Sequence, residues 1–180
     1  MKPKIPFPIK HVHLQWDGPK TWDEKAKLDS AVDYGIYQIY GYHPVHGDDC
    51  LLYIGKACDQ RFDVRLKQEV DWMYDADFGR LSIYVGRCSG WDGTPSDSEW
   101  ARQIDLSEKL LILAHRPGWN AQKNIDRESE ELSRLHIFNW GCHRSLLPEV
   151  SGLRYTSVFD DETEYKQFSE SASGTSLVRG

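Results

Sequence analysis

Hydrophobic and polar positions change their period several times along the chain, and each change predicts an element. Residues 11–16 (His-Val-His-Leu-Gln-Trp) read as a strand. A short helix is predicted from Thr21 to Val32, with Thr21 as cap and Glu24 three residues on. Tyr34-Gly-Ile-Tyr-Gln-Ile-Tyr40 and Leu51-Leu-Tyr-Ile54 are strand-like runs. The segment between them, Gly41-Tyr-His-Pro-Val-His-Gly-Asp-Asp49, is rich in turn formers, so the two predict an antiparallel hairpin over about 34–54. A helix follows over about 59–75, capped by Asp59, and the alternation of Leu81-Ser-Ile-Tyr-Val85 predicts a third strand. A loop rich in Gly, Asp and Ser covers 89–98, and a long helix spans about 98–115. Beyond it we expect a short helix near 126–135 and late strands at 136–140 and 155–159. The small, polar end from 169 to 180 predicts disorder.

The helix over 98–115 carries an anomaly. Trp100, Ile104, Glu108, Leu111, Ile112 and His115 recur at steps of three and four and share one stripe. Glu108 interrupts that otherwise apolar stripe near its middle. A lone carboxylate against a core costs several kcal/mol unless it is paired or metal-bound. Two readings follow: a structural ion pair, for instance with Arg65, or a metal ligand. Glu99 lies on the opposite face and reads as a surface residue.

Composition fits one compact domain of 180 residues, with seven tryptophans and nine tyrosines supplying apolar area with polar tips. No apolar run reaches membrane-spanning length, and the proline-rich start, Met1-Lys-Pro-Lys-Ile-Pro-Phe-Pro8, lacks an apolar signal region; a soluble, cytoplasmic protein is expected. Cys50, Cys58, Cys88 and Cys142 are scattered without CxxC spacing, which favours reduced thiols over disulfides or a zinc site. The net charge of −6 argues against strong non-specific binding to nucleic acid. Basic residues nevertheless cluster at Arg61, Arg65 and Lys67, at Arg80 and Arg87, and at Arg116, Lys123 and Arg127.

The most informative strings are Gly35-Ile36-Tyr37 and Tyr53-Ile54-Gly55, in that order within the predicted hairpin, where Tyr37 and Tyr53 can share one face. Lys56 follows, then Arg65-Leu66, then Glu108 within its helix, then Pro117-Gly-Trp-Asn120. This ordered set, from about Tyr34 to Asn120, resembles the GIY-YIG nuclease family. The resemblance implies an α+β fold in which a small antiparallel three-stranded sheet is flanked by helices. Residues 34–120 would form the nuclease core, 1–33 an N-terminal extension, 121–168 a C-terminal addition packed on the core, and 169–180 a tail.

The activity that the resemblance implies is hydrolysis of DNA phosphodiester bonds with one divalent metal, Mg²⁺, for which Mn²⁺ can substitute. Glu108 would hold the metal, and Arg65 would neutralise charge on the phosphorane. Tyr37 would orient or deprotonate the attacking water, Tyr53 would hydrogen-bond the water or the scissile phosphate, and Lys56 would help lower the Tyr37 pKa. Asn120 resembles the last motif and fits a bracing role. Arg61 comes earlier than the family spacing suggests. One departure is clear: many members carry His or Tyr one turn after the arginine, where this chain has Glu69. His43 and His46, in the hairpin turn, are loosely spaced for a metal pair. With no room for a second large domain, the chain looks like a stand-alone member, as some restriction enzymes of the family are. The alternative is a catalytically inactive relative that acts as a DNA- or protein-binding module; the acidic balance suits a protein partner, and a homodimer stays open.

Overall fold

The computed structural model describes residues 8–24, 35–58, 60–68, 77–89, 93, 95–120 and 125–157. Most of the helix expected over 21–32, Glu69, Val158, Phe159 and the tail from 169 lie outside the described residues.

The molecule is α+β, with a mixed sheet of six strands among the described residues. The strands are β1 (Lys10–Thr21), β2 (Gly35–His43), β3 (Gly47–Ala57), β4 (Ser82–Cys88), β5 (Leu135–Gly141) and β6 (Glu149–Ser151). The helices are α1 (Phe62–Gln68), α2 (Asp97–His115), α3 (Glu130–Ser133) and α4 (Gly152–Tyr155). The strand order is β3-β2-β4-β1-β5-β6, antiparallel throughout except for the parallel pair β1 and β5.

The three expected strands are present as β2, β3 and β4, but the sheet does not stop there. The open edge of β4 is covered by β1, which pairs Leu14 with Cys88 and Trp16 with Gly86. An uncovered edge would leave a row of unpaired N–H and C=O groups. On its other side β1 pairs Leu14 with Asn139 of β5, so the first strand lies inside the sheet rather than at its margin. Val12, Leu14 and Trp16 point inward and are buried. Trp16 packs where a Cβ on Gly86 would come within 2.8 Å of its ring, and its indole N–H donates to Asn139 Oδ1 at 2.8 Å.

α2 begins at Ser96, whose hydroxyl accepts from the Glu99 N–H, and ends at Arg116 in a left-handed conformation at φ 47°. Its buried residues include Leu106 and Leu110 as well as Ile104, Glu108, Leu111 and Ile112. The buried surface is therefore wider than the predicted stripe, because α2 packs on the sheet and also meets α4 and β6. The expected strand at 155–159 is replaced by the short β6 and the turn α4. Gly152 opens α4 directly against the Leu132 carbonyl, where no Cβ fits.

The core has two parts. Ile36, Ile54, Ile104, Leu111 and Trp16 belong to the side covered by α2. Tyr37, Ile39, Tyr53, Val85, Phe62 and Leu66 belong to the side covered by α1, with Trp22 and Phe78 beside them.

Candidate active site

The hairpin register fixes the two tyrosines. Tyr37 pairs with Gly55 and Ile39 with Tyr53, so both phenols stand on the same face. Their ring centroids are 6.0 Å apart and the planes are inclined by 39°. The Tyr37 phenol lies over Gly55, in the space a side chain there would take. Phe62 of α1 meets the Tyr37 ring edge-on at 6.3 Å. Tyr37 is fully buried and Tyr53 nearly so.

α1 covers this pair through Phe62 and Leu66, one turn apart and both buried. Arg65 sits beside Leu66, half-exposed, and its Nη1 donates to Gln68 Oε1 at 3.1 Å. Arg61 has a different engagement: its Nε lies 3.2 Å from Oδ1 of the buried Asp63, which Lys67 also approaches at 3.5 Å.

Glu108 is buried on α2, as its stripe requires, and Lys56 Nζ lies 3.6 Å from its Oε2. Lys56 is also hydrogen-bonded to Asp105, which Lys109 binds at 2.8 Å and Arg102 approaches at 3.6 Å. Burial pulls the Lys56 pKa down, but the Asp105 hydrogen bond and the two carboxylate charges outweigh it and raise it above the usual lysine value. Burial raises the Asp105 pKa, and the hydrogen bonds from Lys109 and Lys56 outweigh that and lower it. Asp105 is the residue that sequence reasoning missed. It lies three residues before Glu108 and four before Lys109, a spacing that puts each of them on the helix face beside Asp105.

Lys56 pairs with Ile36 across the hairpin, so it stands on the α2 side of β3, opposite the tyrosines. The structure thus brings Tyr37 and Tyr53 together under α1, and Lys56, Asp105 and Glu108 together under α2. The lysine expected beside the Tyr37 phenol is held by carboxylates on the other face.

Asn120 braces the outer edge of β3. Its Oδ1 accepts from the Ile54 N–H at 2.8 Å and its Nδ2 donates to the Ile54 carbonyl at 2.9 Å, as a neighbouring strand would. Trp119 N–H donates to the Leu52 carbonyl at 2.8 Å beside it. His43 and His46 stack at 4.6 Å within the hairpin turn, and His43 Nδ1 accepts backbone N–H groups from Val45 and His46.

No group of three or more His, Cys, Asp or Glu side chains is arranged to hold a metal among the described residues. Asp105 and Glu108 are two hard oxygen donors one turn apart, a set that suits Mg²⁺ completed by water and substrate phosphate. The Lys56 ammonium now lies against both carboxylates, so a cation would have to displace it. No helix among the described residues is long and apolar enough to cross a membrane.

Comparison with known protein families, with curated proteins and with solved structures gives no match for this chain.

Proposed function

We propose that the chain is a Mg²⁺-dependent endonuclease of the GIY-YIG type, with β2, β3 and β4 as the part of the six-stranded sheet that bears its motifs and α1 and α2 as the helices that carry Arg65 and Glu108. The observation that carries this reading is the tyrosine pair. Two phenols stand side by side at 6.0 Å on the hairpin that bears both strings, and the helix that bears Arg65 lies over them.

In this reading the substrate is DNA and the product of each turnover is a broken phosphodiester. Tyr37 orients the attacking water and takes its proton. Tyr53 hydrogen-bonds the scissile phosphate. Arg65 holds a non-bridging oxygen with its permanent charge. Glu108, with Asp105 beside it, would hold the metal; both stand on the α2 side of β3, across the strand from the phenols, so charge stabilisation at the leaving 3′ oxygen would require a substrate that reaches both sides of β3. Lys56 holds the two carboxylates together. Asn120 keeps Ile54, and so Tyr53 and Gly55, in register. The cell compartment implied is the cytoplasm, and the role implied is restriction or genome defence.

A specific observation favours a second reading, a catalytically inactive relative that binds DNA or protein. Tyr37 is fully buried, and both carboxylates already have a cation in Lys56. Incubation of the protein with supercoiled plasmid and with single-stranded substrate, with Mg²⁺, with Mn²⁺ and with chelator, separates the two. Cleavage that stops with chelator, and in Glu108→Gln, supports the enzyme. Intact substrate under every condition, with folded protein, ends it.

A further inference from the structure

The sheet face that holds the tyrosines continues across β4 onto β1 and β5. Gly35 pairs with Arg87, Arg87 with Gln15, and Gln15 with Trp140; Tyr37, two residues on from Gly35, pairs with Val85. Directly paired residues share a face. Tyr37, Arg87, His13, Phe138 and Trp140 therefore stand on one side of the sheet.

Beyond the cover of α1, this side carries five rings: His11, His13, His136, Phe138 and Trp140. His13 stacks on Phe138 at 4.9 Å with planes 10° apart. Trp140 stacks near both, each at 6.2 Å and within 19° of parallel. The Trp140 indole N–H donates to His13 Nδ1 at 3.1 Å, which fixes the two rings to each other. Trp140 is 40% exposed and His11 is exposed. The chain has 28 acidic residues, yet positions 11, 13, 15, 136, 138 and 140 carry none. Two carboxylates adjoin the rings on this side: Asp17, paired with Lys20 at 2.9 Å, and Glu149, the cross-strand partner of Phe138, whose Oε2 lies 3.4 Å from His136 Nε2.

We propose that this ladder is a stacking platform for an unpaired nucleic-acid strand, lying across the sheet toward Tyr37 and Tyr53. It rests on the endonuclease reading for the direction of the strand, and deepens it by naming a single-stranded or locally opened substrate. Bases of any identity stack on exposed aromatic faces, whereas paired bases inside a duplex are already stacked on each other. An apolar protein segment fits less well, because it offers no hydrogen-bonding edge to the exposed His11 imidazole. Nucleobase edges offer both donors and acceptors. From β5 to β2 is three strand spacings, about 14 Å, a span of a few nucleotides. Arg87 lies between the two, a permanent charge suited to a phosphate.

The test is fluorescence anisotropy of the full chain with labelled oligothymidine, oligouridine and a duplex of equal length, in Ca²⁺ in place of Mg²⁺. Both single strands should bind more tightly than the duplex. Trp140→Ala should weaken single-strand binding by about tenfold or more with an unchanged thermal melt, and Trp140→Phe should retain most of it. Tighter oligothymidine assigns the strand as DNA, and tighter oligouridine as RNA. Duplex binding as tight as single-strand binding, or a folded Trp140→Ala with unchanged single-strand affinity, overturns the platform. Anisotropy in Ca²⁺ does not require cleavage. A chain that binds single strands through Trp140 but never cuts keeps the platform and loses the nuclease; one that cuts and is indifferent to Trp140 does the reverse.

Discussion

The Tyr37 phenol lies across Gly55 so closely that a methyl group there would meet both its hydroxyl and its ring, and would reach Tyr53 Cε1 at 2.7 Å. The third residue of the YIG string is thus small because the tyrosine of the GIY string occupies its place. Gly55→Ala should push both phenols out of position and cost about 1–3 kcal/mol, the usual range for overpacking a filled core. Urea unfolding measures the loss, and cleavage should fall with it. A Gly55→Ala variant as stable as the parent would show that the pair has room to shift.

Tyr37→Phe separates ring from hydroxyl. The ring keeps its contacts with Phe62 and Gly55, so stability should change by about 1 kcal/mol, the scale of one hydrogen bond. The cleavage rate should fall by orders of magnitude, because a phenyl ring neither accepts a proton nor orients water. DNA affinity in Ca²⁺ should persist. Unchanged cleavage in this variant would return Tyr37 to a packing role alone.

The two arginines of the α1 region should part company. Arg65→Ala should lower the rate by about a hundredfold or more, the scale for losing a charge-stabilising donor. Arg61→Ala should act on stability, since it removes a partner of the buried Asp63. Rate constants and melts measured on both variants decide, and the reverse pattern would place the phosphate contact at Arg61.

His115 supplies a pH signature that has nothing to do with catalysis. Burial pushes its pKa down from 6.5 to about 4. Between these values the unfolded chain binds a proton that the folded chain refuses, so stability falls as pH drops from 6.5 to 4 and then levels for this group. The loss should be on the order of 2 kcal/mol, allowing for its partial exposure. His115→Gln should flatten that slope in unfolding curves recorded across the window. A slope unchanged in the variant would assign it to other groups.

Much of the region from Gly35 to Asn120 was legible because it is local. The period of two in β2, β3 and β4 and the capped run of α2 sit in contiguous sequence, and strand parity alone put Tyr37 and Tyr53 on one face. What was missed is non-local. Nothing in residues 11–16 says that they will pair with residues 135–141, and β6 has only three residues, too few to show a period. At the site, Glu108 stood out against apolar neighbours, but its pairing with Lys56 depends on how β3 passes α2, which spacing does not encode. Asp105 was overlooked because a carboxylate beside the stripe reads like any surface residue.

The place of β1 has a consequence for the order of events in folding. β2, β3 and β4 can zip together among themselves once residue 88 has been made, and β5 with β6 can form a hairpin of their own. Neither pairing joins the two halves. Among the described strands only β1 borders both, through Trp16 against Gly86 on one side and against Gly141 on the other. The earliest-made strand must therefore wait for one of the last, and contacts so distant in sequence close slowly. Until they close, the platform and the tyrosines belong to separate, unjoined pieces of sheet, so a change confined to Leu14 or Trp16 should reach both at once.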